Sequence, residues 1–153
     1  EFIREHLQID MSYCVRMSNF VGYMLSEAKR IGFKKILLAG HIGKFIKISA
    51  GIFNTHSKVC DARNEIMISN LALMGAPLEF LKEINECVTA EGAVEIIDKS
   101  EYTDIYNILC DKCKQRAEQY LHNEVEVEFY MFRMDKSLLG KSKRADLLME
   151  EFR

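Results

Sequence analysis

The stretch Lys34-Lys35-Ile36-Leu37-Leu38-Ala39-Gly40-His41-Ile42-Gly43-Lys44 decides the architecture of this chain. Ile36 to Ala39 are consecutively apolar, with no polar alternation, so the segment reads as a strand buried on both faces, as strands of a parallel sheet are. Upstream, Tyr13 to Arg16 reads as a second strand candidate. Ser18 or Asn19 can then cap a helix whose apolar positions Val21, Met24, Leu25, Ala28 and Ile31 follow i, i+3, i+4 spacing, with Gly32 ending it. Strand, helix, strand is a βαβ unit. It predicts an α/β, Rossmann-like layered domain, a mostly parallel sheet flanked by helices, spanning residues 1–153 as one unit.

Downstream of Lys44, Phe45, Ile46, Ser49 and Ala50 can face a core, with Lys44 and Lys47 on another face. A polar interruption, Asn54 to Ser57, precedes a helix expected from Asp61 to Met74 and closed by Gly75. Pro77 fits the first turn of the next helix, which should end near Glu86. Thr89 and Ser100 are the N-caps expected for two more, the second carrying Ile105, Ile108, Leu109, Cys113, Ala117, Tyr120 and Leu121 at helical spacing. The period then changes. Val125, Val127, Phe129 and Met131 alternate with Glu124, Glu126, Glu128 and Tyr130, which predicts a strand with one buried and one wet face, near a sheet edge. Gly140 marks a break, and Ser142 is the expected cap of a last helix with Ala145, Leu148, Met149 and Phe152 on its apolar side.

Composition narrows the function classes. The chain has 153 residues, 48% hydrophobic and 29% charged, enough for a continuous core. Its 21 basic and 23 acidic residues are interspersed for a net charge of -2, which excludes a global basic field of the kind that drives nucleic-acid binding. No apolar run is long enough for a membrane span. The chain opens on Glu1 with no signal-like segment and is expected to be a piece of something longer. Five cysteines at irregular spacing, Cys14, Cys60, Cys87, Cys110 and Cys113, favour reduced thiols and a cytoplasmic setting. Cys110 and Cys113 form C-x-x-C within a helical pattern, but no second ligand pair accompanies them, so they are expected to be buried thiols and no metal site is expected.

Chemistry concentrates between Gly40 and Ser57: two histidines (His41, His56), two lysines (Lys44, Lys47), and Asn54, Thr55 and Ser57, all beyond the carboxyl end of the buried strand. Ligands of open α/β sheets bind there, because strand-to-helix loops converge and helix N-termini direct N–H groups toward them. Gly40 and Gly43 would let a backbone turn approach an anion, and Lys44 in the first helical turn would add charge. The spacing is not that of a nucleotide phosphate loop, which has four residues between its glycines and a hydroxyl residue after the lysine; here there are two, and Phe45 follows. On composition alone the glycines shape a turn, the lysines form a solvated face, and each histidine is a structural hydrogen-bonder.

Ser18, Asn19, Phe20, Val21 and Gly22, then Gly32, Phe33 and Lys34, then Gly40, His41, Gly43, Lys44 and Lys47, and finally Gly51, Asn54, Thr55, His56 and Ser57, with Asp61 and Arg63 shortly after, closely resemble the cobalt-precorrin-5B C1-methyltransferase (CbiD) family. The resemblance is strongest from Ser18 to about Gly75 and is to the C-terminal portion of that family. It implies methyl transfer from S-adenosylmethionine to C1 of a cobalt-precorrin, giving cobalt-precorrin-6A in anaerobic cobalamin synthesis. It further implies a missing N-terminal domain with a Gly-x-Thr-Thr-Gly segment, which this chain lacks, and hence a fragment with negligible activity alone. The peripheral carboxylates of such a substrate suit a lysine-bearing helix start.

The assignments that follow are His41 and His56 for catalysis, Gly40, Gly43 and Lys44 for the cofactor, and Lys47, Asn54, Thr55 and Ser57 for the substrate. Partners would be the precorrin and the N-terminal domain, with a homo-oligomer also open and neither nucleic acid nor membrane involved. Two other readings compete: a phosphate- or nucleotide-binding enzyme using Gly40 to Lys44, and a non-catalytic docking domain whose apolar helices bury a partner.

Overall fold

The computed structural model describes residues 3–152. In chain order the main elements are α1 (Val21–Arg30), β1 (Lys35–His41), α2 (Ile42–Ile48), α3 (Arg63–Leu73), α4 (Leu78–Asn85), α5 (Ala90–Ile97), α6 (Ile105–Tyr120), β2 (Glu126–Phe132), β3 (Leu138–Lys141) and α7 (Ala145–Glu150). The sheet has three strands in the order β1-β2-β3, giving a mixed α/β architecture. β1 pairs with β2 in parallel from Lys35↔Glu126 to His41↔Phe132, and β2 pairs with β3 antiparallel. Only one of the two pairings is therefore parallel, against the mostly parallel sheet expected.

The first strand of the expected βαβ unit is absent. Met11–Tyr13 is a single 3₁₀ turn whose cap, Asp10, accepts the Ser12 N–H at 2.9 Å, and Tyr13 and Val15 stay exposed. That local side-chain bond gives the backbone an alternative to a ladder, and among the described residues no strand lies alongside to compete with it. The parallel partner of β1 is instead β2, reached through α2 to α6.

β2 departs from its alternation for a related reason. It is the central strand, and both its faces are covered. Val127, Phe129 and Met131 join Leu38, Phe45, Ile46, Leu109 and Cys113 in the larger core cluster. On the opposite face Tyr130 packs with Leu7, Ile9, Ala145 and Met149, beside Leu37 and Ala39 of β1. Glu128 on that face is fully buried. Its carboxylate accepts from Lys114 Nζ at 2.6 Å and from the Ser142 hydroxyl, as a buried charge requires. Ser142 is thus spent on the sheet, where its Oγ also accepts the Phe129 N–H at 2.8 Å, and α7 starts after Arg144 instead.

Two further caps fall differently from expectation. Phe20 holds the N-cap position of α1, while Asn19 is occupied elsewhere. Ser100 accepts the Tyr102 N–H, and α6 begins only after Asp104. Pro77 stands one residue before α4 rather than in its first turn. Thr89 does cap α5, its Oγ1 accepting the Gly92 N–H at 3.1 Å. Gly32 and Gly75 close α1 and α3 with φ of 102° and 88°, left-handed values that a Cβ would disfavour. Cys110 and Cys113 are buried in α6, and burial raises the pKa of both thiols.

Candidate functional site

The stretch 40–57 divides into two polar clusters. In the first, β1 runs into α2 with no intervening loop. Gly40 lies within the strand, opposite Met131, and not in a turn. Its missing side chain makes room for Phe45, because a Cβ there would sit 2.2 Å from the Phe45 ring, itself packed edge-on against Phe129 at 5.5 Å. His41 is the N-cap of α2: its Nδ1 accepts the Gly43 N–H at 3.1 Å, and a Cβ on Gly43 would crowd that nitrogen at 3.1 Å. The glycine turn expected as an anion cradle is absent, since one glycine admits an aromatic ring and the other donates to His41. Lys44 occupies the third residue of α2; it is exposed and makes no hydrogen bond or ion pair among the described residues.

With Nδ1 accepting, the His41 proton belongs on Nε2, which lies 2.7 Å from Glu91 Oε1 at the start of α5. The same oxygen accepts the Met134 N–H at 2.9 Å, tying α5 to the hairpin after β2. Next to Met134, Arg133 pairs through Nη2 with Asp98 Oδ2, while its buried Nε has no hydrogen-bond partner. Asp98 also accepts from the Tyr106 hydroxyl at 2.9 Å. Burial, then the neighbouring Asp98, pushes the Tyr106 pKa up, so the phenol stays protonated and remains a donor. The bond to Asp98 likewise raises Arg133, which stays cationic.

Two sets of contacts, His41 with Glu91 and the Met134 N–H, and Arg133 with Asp98 and Tyr106, are joined through the Arg133–Met134 backbone beyond the paired carboxyl ends of β1 and β2, where a parallel sheet presents its ligand site. A cavity of about 330 Å³ opens beside Arg133, lined also by Asp98, Thr103, Asp104, Tyr106 and Asn107, with Leu138 and Leu139 as its apolar wall.

The second cluster lies at the far end of α2. Lys47 is only 2% exposed, and its ammonium donates to the Thr55 carbonyl at 3.0 Å. Thr55 is buried too; its hydroxyl donates to Asn19 Oδ1 at 3.3 Å and its N–H to the Asn19 carbonyl at 3.1 Å. A bridge between Phe20 and Asn54 and a bond from the Gly22 N–H to the Phe53 carbonyl fasten residues 19–22 against 53–55. Asn54 accepts the His56 N–H, and His56 Nδ1 accepts the Lys58 N–H at 3.1 Å, on the surface. Ser57 is exposed. Asp61 and Arg63 form a two-bond pair at 2.7 and 3.1 Å, and this pair, with Lys47 adding to it, lowers the Asp61 pKa.

Of the residues singled out in the sequence, then, the structure brings Asn19, Lys47, Asn54 and Thr55 together, sets His56 and Ser57 on the adjoining surface, and separates all of them from His41. Sequence reasoning missed Glu91, Asp98, Asp104, Tyr106 and Arg133. The signals were faint: Glu91 two residues after a helix cap, Asp104 at a helix start, and Arg133 at the end of the alternating strand.

A family model described as CbiD, C-terminal domain, matches residues 54–143. Curated relatives named "Cobalt-precorrin-5B C(1)-methyltransferase" align along nearly the whole chain. One from Clostridioides difficile strain 630 is 63% identical over 99% of this chain and 38% of its own length. One from Listeria welshimeri is 45% identical over 99% and 42%, and one from Citrobacter koseri 44% identical over 98% and 40%. The chain spans about two fifths of the length of these relatives. No solved structure matches it.

Proposed function

This chain belongs to the CbiD C-terminal domain family, and we propose that the protein it forms part of methylates cobalt-precorrin-5B at C1, with S-adenosylmethionine as donor. The observation that carries this reading is 63% identity across 99% of the chain to a relative of that name. No helix of the described residues is long and apolar enough to cross a membrane, and reduced cysteines fit a cytoplasmic biosynthetic role. Helices on both faces of the β1–β2 pair are compatible with a Rossmann-like layering completed by the rest of the protein, which also completes the active site.

Methyl transfer to an electron-rich ring carbon is chiefly a positioning problem. In this reading the strand-end network holds the ligand-facing surface rigid, with His41 fixed from both sides by Gly43 and Glu91. Lys44 is the cation of the 40–57 stretch left free to meet a carboxylate of cofactor or substrate, while Lys47 and Thr55 brace the segment that carries Asn54, His56 and Ser57. The nucleotide reading has less support, because the strand enters α2 with no phosphate-wrapping loop.

The test is turnover of cobalt-precorrin-5B by the whole protein with methyl-labelled S-adenosylmethionine. Label at C1 is expected; no transfer, under conditions where the Clostridioides difficile relative turns over, would overturn the reading. In the same assay Lys44→Met should weaken the affinity of one anionic ligand about tenfold, the effect of losing one charge-assisted hydrogen bond, and leave stability unchanged.

A further inference from the structure

We propose that the cavity beside Arg133 receives a zwitterionic amino-acid head group, its carboxylate against the Arg133 guanidinium and its ammonium against the Asp104 carboxylate. The charged groups in the wall differ in what each has left to offer. Arg133 spends Nη2 on Asp98, but Nη1 has no partner among the described residues and Nε is buried without an acceptor. Asp98 is already neutralised, holding both Arg133 and the Tyr106 hydroxyl. Asp104 holds only a neutral donor, the Asn107 amide at 3.1 Å, and pairs with no cation.

The wall therefore presents guanidinium N–H donors that Asp98 does not take up and a carboxylate, Asp104, that no cation pairs with, around about 330 Å³. A simple anion would meet the Arg133 donors but be repelled by Asp98 and Asp104, and a simple cation would meet Asp104 but leave those donors unfilled; a group bearing both an acceptor anion and a cation satisfies both. A phosphate ester, with close to two negative charges, is poorly served by a single cation beside a carboxylate. Leu138 and Leu139 give the aliphatic part of such a head an apolar surface. Because Nε is buried as it stands, Arg133 is expected to turn on binding, which also relieves a donor that is costly to leave unpaired.

The head could belong to a free amino acid or to S-adenosylmethionine; the second choice rests on the function proposed above. Titration of the whole protein with S-adenosylmethionine, free methionine and 5′-methylthioadenosine, which lacks the head, separates the possibilities. Arg133→Gln should weaken S-adenosylmethionine at least tenfold and leave 5′-methylthioadenosine within twofold. Asp104→Asn, at an exposed position where the fold is not at stake, should weaken S-adenosylmethionine several-fold with the same selectivity. Unchanged affinity for S-adenosylmethionine in both variants, or equal weakening of it and 5′-methylthioadenosine, would overturn the proposal and leave the proposed reaction standing. Binding of methionine but not S-adenosylmethionine by the unsubstituted protein, lost in Arg133→Gln, would keep the cavity and remove the donor reading. Binding of neither would overturn both.

Discussion

The two ends of α2 use similar residues to opposite effect. At its carboxyl end, Lys47, Thr55 and Asn19 turn their polar groups on one another and on backbone, so that a cation 2% exposed and a buried hydroxyl are both bonded within the chain. At its amino end, His41 bonds Glu91, which holds the Met134 N–H, and the adjoining Arg133 pairs with Asp98 beside an open cavity with donor and acceptor capacity unused. The first arrangement resembles a clasp between residues 19–22 and 53–55; the second resembles a surface waiting for a ligand. Density of polar residues in sequence marked the clasp. The strand-end network draws its residues from the end of β1, from α5, from α6 and from the hairpin after β2.

The largest effect that would sharpen this contrast is in β1, just before the amino end of α2. Gly40→Ala places a methyl 2.2 Å from the Phe45 ring, which Phe129 boxes in, so a stability loss of about 3 kcal/mol is expected in chemical denaturation. Wild-type stability with impaired ligand binding would restore the glycine-cradle reading in its place.

Asn19→Ala removes the acceptor of a buried hydroxyl and should lower stability by about 2 kcal/mol, while ligand affinity in the whole protein stays within twofold. A selective loss of affinity would move the clasp into the binding machinery. His41→Ala deletes the α2 cap and should cost about 1 kcal/mol, whereas His41→Asn can still cap and should restore most of it. If His41→Asn restores stability but turnover stays low, the imidazole acts beyond capping.

The smallest expected effect concerns pH. Arg63, with Lys47 behind it, holds the Asp61 carboxyl below its ordinary value of 3.8. A depressed folded pKa means stabilisation that is complete above the unfolded value and is lost as pH falls through the folded one. Asp61→Asn should therefore cost under about 1 kcal/mol at neutral pH, as for an exposed ion pair, and nothing once both forms are fully protonated. A difference that grew toward acid would contradict that sign.

Local signals were legible to the extent that one short-range interaction decides them. The Thr89 cap and the left-handed closures at Gly32 and Gly75 could be read from neighbours a few residues away, and so could a strand at Ile36 to Ala39, although it lies at the sheet edge with only Leu38 buried, where burial on both faces was expected. The family resemblance was legible from the motifs around Ser18 to Arg63. What could not be read was long-range pairing. Whether Ile36 to Ala39 joins a strand before or after it depends on β2, and β2 itself reads as an edge strand because Glu128 looks solvated. Only the fold brings Lys114 and Ser142 to that carboxylate. The strand-end network was hidden for the same reason: Glu91, Asp98 and Arg133 belong to different elements, and none sits in a motif.

Amide hydrogen exchange of the whole protein with and without S-adenosylmethionine tests most directly whether ligand chemistry lies at the carboxyl ends of β1 and β2. Protection on binding should appear in residues 91–107 and 131–139, with 18–22 and 47–57 unchanged. Protection confined to 18–22 and 47–57 would contradict the account.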